Sequence, residues 1–145
     1  SNKGVNVAIL DTTQNKNSYY LFTNNEEKLR RIAETRLEFL CDGKATFTYI
    51  TLDDENKVNA ETGDHEGIVN IGKGIEGVEV SVFIRELKNG KGWKVSLRSN
   101  EYVNVSDVAL LFGGGGHPRA AGCNMQGDLQ HIKDKIMSEV RASLK

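Results

Sequence analysis

VEVSVFIRELKNGKGWKVSLRS, residues 78–99, sets Val78, Val80, Val82 and Ile84 in alternation with Glu79, Ser81, Phe83 and Arg85. The pattern returns as Trp93, Val95 and Leu97 against Lys94, Ser96 and Arg98. Alternation with a period of two assigns the two sets to opposite faces of a pleated strand. Between the runs lies Asn89-Gly90, the dipeptide that most readily takes the positive φ angles of a tight hairpin turn. The stretch predicts a β-hairpin over 78–99.

Upstream, ATFTYITL (45–52) is dense in β-branched and aromatic residues and predicts a strand that ends in an acidic turn, Asp53-Asp54-Glu55. Before it, Leu29, Ile32, Ala33, Leu37 and Leu40 recur at helical spacing behind a capping signal, Asn24 with Glu27. These predict a helix over 25–41. Residues 66–75 are compatible with a short helix. Residues 4–22 carry two apolar runs around a polar patch and no sustained period.

Downstream, Val105, Val108, Ala109 and Phe112 predict a short amphipathic helix, capped by Asn104 and with Asp107 in its first turn. A strand at 120–126 follows. Leu129, Ile132, Ile136, Val140 and Leu144 then form the apolar stripe of a last helix. Helices and strands alternating around one sheet give an α/β or α+β sandwich, and no internal repeat is visible.

The chain has 145 residues, 38% of them hydrophobic, which is the size of one domain with a real core. Its formal charge is −1, from 19 basic and 20 acidic residues, so no overall field draws it to nucleic acid or to a membrane. The charge is unevenly spread, however. Residues 42–66 hold seven acids against two lysines, whereas residues 85–98 hold five basic residues against the single acid Glu86. A polyanion-binding face would be built from that second segment. Two cysteines without metal-ligand spacing suit a reducing cytoplasm, and no run of ~18 apolar residues predicts a membrane span.

GGGGHPRAAGC, residues 113–123, is the candidate site. Each glycine costs about 0.5–1 kcal/mol relative to alanine in ordered structure, and a helix C-terminal cap needs only one. A flexible linker would be longer and richer in serine. Successive glycines let backbone N–H groups approach an anion with no Cβ in the way, with His117 and Arg119 supplying side-chain donors at the rim. The run is not a Walker loop, because no Lys-Ser/Thr pair closes it. It is not a dinucleotide fingerprint either, because Pro118 stands where the third glycine belongs. Asp64-His65-Glu66 suggests a metal or acid-base cluster, but no second cluster completes it and it reads as a solvated turn. His65, His117 and His131 share no helical spacing, and no pairing of nucleophile and base stands out.

GGGGHPRAAGC, together with KVSLRS (94–99) and EGIVNIGKGIEGVEVSVFIRE (66–86), resembles the DHHA1 domain of DHH-family phosphoesterases over about residues 25–145. The pattern is most similar to bacterial enzymes that degrade very short oligoribonucleotides and dephosphorylate 3′-phosphoadenosine 5′-phosphate. RecJ-type exonucleases and cyclic-di-AMP phosphodiesterases are relatives. The resemblance implies a single mixed sheet packed by helices, and a parent enzyme whose N-terminal DHH domain, joined in cis, holds Mn²⁺ or Mg²⁺ and activates water.

On this resemblance, residues 1–24 are the tail of that absent domain plus a linker, and residues 25–145 are the substrate-binding domain, inactive alone and cytoplasmic. Asp64-His65-Glu66 lies inside the DHHA1 pattern and is not the DHH motif. Arg98, Ser99, Gly113, Gly114, Gly115, Gly116 and His117 would hold the terminal phosphate and nucleotide of short single-stranded RNA or DNA, or of a nucleotide phosphate. Arg119 and Lys94 would lie at the rim. The residues alone leave two alternatives open: a binding module that acts without a catalytic partner, and a protein interface.

Overall fold

The structure, a computed structural model, describes residues 14–59 and 65–145. The elements run α1 (Gln14–Thr35), β1 (Glu38–Leu40), β2 (Ala45–Ile50), α2 (Leu52–Val58), α3 (Glu66–Val69), β3 (Val80–Glu86), β4 (Trp93–Ser99), α4 (Val105–Leu110), β5 (Gly115–His117), β6 (Ala120–Met125) and α5 (Leu129–Ser143). Among the described residues the strands form one six-stranded sheet in the order β1-β2-β3-β4-β6-β5. Only β2 and β3 pair in parallel, so the sheet is mixed and the fold is α/β.

The hairpin has its expected alternation and register, from Val80 opposite Ser99 to Glu86 opposite Trp93. Its turn is longer than two residues. The Leu87 N–H donates to the Gly92 carbonyl at 2.8 Å, and Asn89 and Gly90 supply the positive φ angles, 62° and 65°, at the tip.

Two elements differ from the sequence reading. The first helix begins earlier and ends at Thr35 rather than 41, and position 24 lies inside it. Past its end, Arg36 pairs with Asp54, and the chain extends as β1 against β2. Leu40 therefore sits in a strand, and left-handed Cys41 and Asp42 turn the chain back. The acidic turn after β2 is the first turn of a helix instead. Thr51 accepts the N–H of Asp54 while the Asp54 carboxylate accepts the N–H of Thr51, a capping box. Three acids at that helix end complement its dipole, which is why a run resembling a turn becomes α2.

The pleat divides the sheet into two unlike faces. On one, Val80, Val82, Ile84, Val95, Leu97, Ala121 and Cys123 pack against α4 and α5 through Val105, Val108, Ile132, Ile136 and Val140. On the other, Leu29 and Ala33 of α1 and Ile68 of α3 cover Ile50 and Phe83. That second layer reaches β2 and β3 and leaves the same face of β4, β6 and β5 open. The asymmetry positions the candidate site.

Candidate functional site

The open half-face is a cleft of about 700 Å³. Its floor is built by the polar set of the hairpin alternation and the small residues of β6. Arg85 stands opposite Lys94, Lys94 opposite Asn124, Ser96 opposite Gly122, and Arg98 opposite Ala120. One wall is Gly113–Gly116; the other comes from the α3 side, through His65 and Val69. Among the described residues, no carboxylate lines the cleft, while Arg85, Lys94 and Arg98 all do. A chain with a net charge of −1 thus concentrates positive potential in one concavity.

Cross-strand rows show how the strands space these groups. Ala120 stands between Arg98 on β4 and His117 on β5. Neighbouring strands lie about 4.8 Å apart, so the backbones carrying Arg98 and His117 are separated by about 10 Å, with only a methyl group between them. His117 is exposed at the edge strand, on the same face as Gly115. One guanidinium nitrogen of Arg98 donates to the Leu97 carbonyl at 3.0 Å.

The glycines are not equivalent. Gly113 and Gly116 hold positive φ angles, 83° and 148°, and the amides of Gly113 and Gly114 already donate to the carbonyls of Leu110 and Ala109. Those two N–H groups close α4 rather than face a ligand. A Cβ on Gly115 would meet nothing within 4 Å, and its φ lies outside the left-handed region. Neither packing nor backbone conformation therefore requires a glycine there.

Two of the expected site residues lie elsewhere. Ser99 is buried on the opposite face, where its hydroxyl donates to the Val103 carbonyl at 2.6 Å. Arg119 donates to the Ser99 hydroxyl at 3.0 Å and to the Val103 carbonyl at 2.6 Å. Together with the Val105 N–H, which donates to the Pro118 carbonyl at 2.9 Å, they tie the base of the glycine loop to the turn after β4. Arg85, Ser96 and Asn124 line the cleft although no motif singled them out, and so does His65, which the run Asp64-His65-Glu66 marked only as a solvated turn. The alternation that places Arg98 on this face also places Arg85 and Ser96 there, so part of this set could be found from period alone.

His65 is not in a solvated turn. It is 5% exposed, and its Nε2 lies 2.8 Å from the equally buried Glu55 carboxylate, with Phe83 beside the ring. Glu55 is recruited from α2, ten residues away in sequence, which is why the local run Asp64-His65-Glu66 gave no sign of the pair. Asp64 lies outside the described residues. Among those described, no group of three or more His, Cys, Asp or Glu side chains gathers to hold a metal ion. Cys41 and Cys123 are free thiols, and burial pushes the Cys123 thiol up. No described helix is long and apolar enough to cross a membrane.

Comparison with known proteins gives a consistent picture. Residues 42–143 match the model of the DHHA1 domain. Over 82 residues the chain is 40% identical to the bifunctional oligoribonuclease and PAP phosphatase NrnA of Thermus thermophilus, covering 56% of this chain and 25% of that protein. Among solved structures, an exopolyphosphatase-related protein from Bacteroides fragilis superposes with a TM-score of 0.72 at 24% identity, over 81% of this chain and 35% of that one. The pGpG-specific phosphodiesterase PggH from Vibrio cholerae superposes with a TM-score of 0.63 at 13% identity, over 86% of this chain and 41% of that one. The two superpositions show a shared fold, and in every case the chain spans well under half of its relative.

Proposed function

The chain belongs to the DHHA1 domain family, and from that premise we propose that it is the substrate-binding domain of a metal-dependent phosphoesterase acting on short oligonucleotides or nucleotide phosphates. The observation that carries this reading is the cleft in which Arg85, Lys94 and Arg98 converge beside Gly115 with no carboxylate among the described lining residues. Charge-assisted hydrogen bonds from guanidinium groups, together with close backbone approach, are the chemistry that retains a phosphate. The likeness to an oligoribonuclease and PAP phosphatase supports short RNA or a nucleotide phosphate as the phosphate carrier.

In this reading Arg98 and His117 flank the terminal phosphate above Ala120, and Gly115 lets the ligand reach the backbone. Ser99 and Arg119 act one step removed, by fixing the loop. A DHH domain in cis supplies the Mn²⁺ or Mg²⁺ ions and the activated water, so the reaction occurs between two walls of which this chain is one.

Titration calorimetry of the chain with adenosine 5′-monophosphate tests the proposal. Arg98→Ala should weaken binding about tenfold or more, the equivalent of one charge-assisted contact. Equal binding by the parent and this variant would remove the assignment. Hydrolysis of short RNA by the chain alone with Mn²⁺ would contradict the division of labour.

A further inference from the structure

Arg85 and Lys94 face each other directly across β3 and β4. Like charges at directly opposed positions of an antiparallel pair destabilise the sheet. Elsewhere in the molecule such cost is avoided: Arg30 pairs with Glu34, Arg36 with Asp54, Lys57 with Asp53 and Lys133 with Glu38. The side chains of Arg85 and Lys94 have neither an ion pair nor a hydrogen bond among the described residues. Both line the cleft, and Asn124, opposite Lys94 on its other side, adds a neutral donor and acceptor.

We infer that Arg85 and Lys94, with Asn124, form a second anion subsite that holds an internal phosphate of the bound strand, so that the cleft measures ligand length. Lys94 lies four residues from Arg98 on the same face of β4, about 13 Å along the strand. A stacked single strand rises about 3.4 Å per nucleotide, so the two subsites span about four stacked nucleotides, and about two to three when the strand is stretched. A mononucleotide reaches Arg98 and the glycine loop only. A short oligonucleotide reaches both ends, and its second phosphate neutralises the opposed cations. The inference rests on the proposed reading of the Arg98 end as a phosphate site.

The test compares adenosine 5′-monophosphate with 5′-phosphorylated triadenylate on the parent chain and on Arg85→Gln/Lys94→Gln. The parent should bind the trinucleotide about tenfold or more tightly than the mononucleotide, and the double variant should reduce that advantage to about twofold, weakening the trinucleotide about fivefold more than the mononucleotide. The slope of log affinity against log salt for the trinucleotide should fall by about 1.4, the counterions released by two cations on a single strand. The ligand-free double variant should melt at the same temperature or about 1–3 °C higher, because a repulsion has been removed. Lys94→Arg, which keeps the charge, should retain the length preference.

A trinucleotide that binds the parent no more tightly than the mononucleotide would overturn the second subsite alone. So would a double variant that weakens both ligands equally, or one that lowers the melting temperature by several degrees. If the mononucleotide fails to bind the parent at all, the phosphate reading of the Arg98 end falls and this inference with it.

Discussion

A Cβ on Gly114 would lie 2.1 Å from the carbonyl oxygen of Gly122, whereas a Cβ on the next residue, Gly115, would touch nothing. Neighbours in one glycine run therefore differ: Gly114 is held to glycine by packing, and Gly115 is not, so its proposed role is to let a ligand reach the backbone. Gly114→Ala should cost about 1–3 kcal/mol of stability or more, as overpacking against backbone does. Gly115→Ala should melt like the parent and bind mononucleotide more weakly. Thermal melts and titrations of both variants check this, and a Gly115→Ala protein that binds normally would leave that glycine without a role.

The Glu79 carboxylate is buried and accepts the N–H groups of Glu101, Tyr102 and Val103, the last two at 2.7 and 2.8 Å. It organises the turn that leads from β4 into α4 and so to the glycine loop. Glu79→Gln keeps the shape and removes the charge, and should destabilise by about 1.5–3 kcal/mol in a denaturant titration. A change below about 0.5 kcal/mol, the scale of an ordinary surface substitution, would show that the turn holds its form without the carboxylate.

Burial alone would raise the Asp54 carboxyl, but hydrogen bonds from Arg36 and Thr51 outweigh it and hold the group below the usual carboxylate range. With a folded pKa depressed below the unfolded value of about 3.9, the native state binds fewer protons, so the pair contributes stability above about pH 4. That contribution disappears as pH falls through the folded pKa. Arg36→Met should therefore be less stable at neutral pH by about 2–3 kcal/mol, somewhat under a fully buried pair because Arg36 is partly exposed. Melting curves across acid pH should show the gap between variant and parent closing below about pH 4. A gap independent of pH would mean that Arg36 acts through packing.

The hairpin and the last helix were legible because period-two alternation at 78–99 and a helical stripe at 129–144 are strong local signals that the core then confirms, whereas the mixed pairing of the sheet was implied only by the family resemblance. The end of α1 was not legible. Leu37 and Leu40 continue the helical spacing, and only the distant partners Asp54 and β2 draw the chain out of the helix. The site divided in the same way. The alternation placed Arg98 beside Lys94, and the glycine run stood out by composition. The buried pair of His65 with Glu55 depends on a contact between two helical segments, which no local pattern encodes. Ser99 and Arg119 read as ligand contacts from their place in the motif, while their side chains are committed to the Val103 carbonyl.

In the proposed function a phosphate sits between the glycine loop and Arg98. Amide and guanidinium NMR shifts of the labelled chain, followed during titration with adenosine 5′-monophosphate, decide whether it does. The shifts should concentrate at Gly115, Gly116, His117, Arg98 and Ala120, saturate with one affinity, and be absent in Arg98→Ala. Saturable shifts confined to the surface around His131, Lys135 and Glu139 on α5, with the glycine loop unmoved, would contradict it.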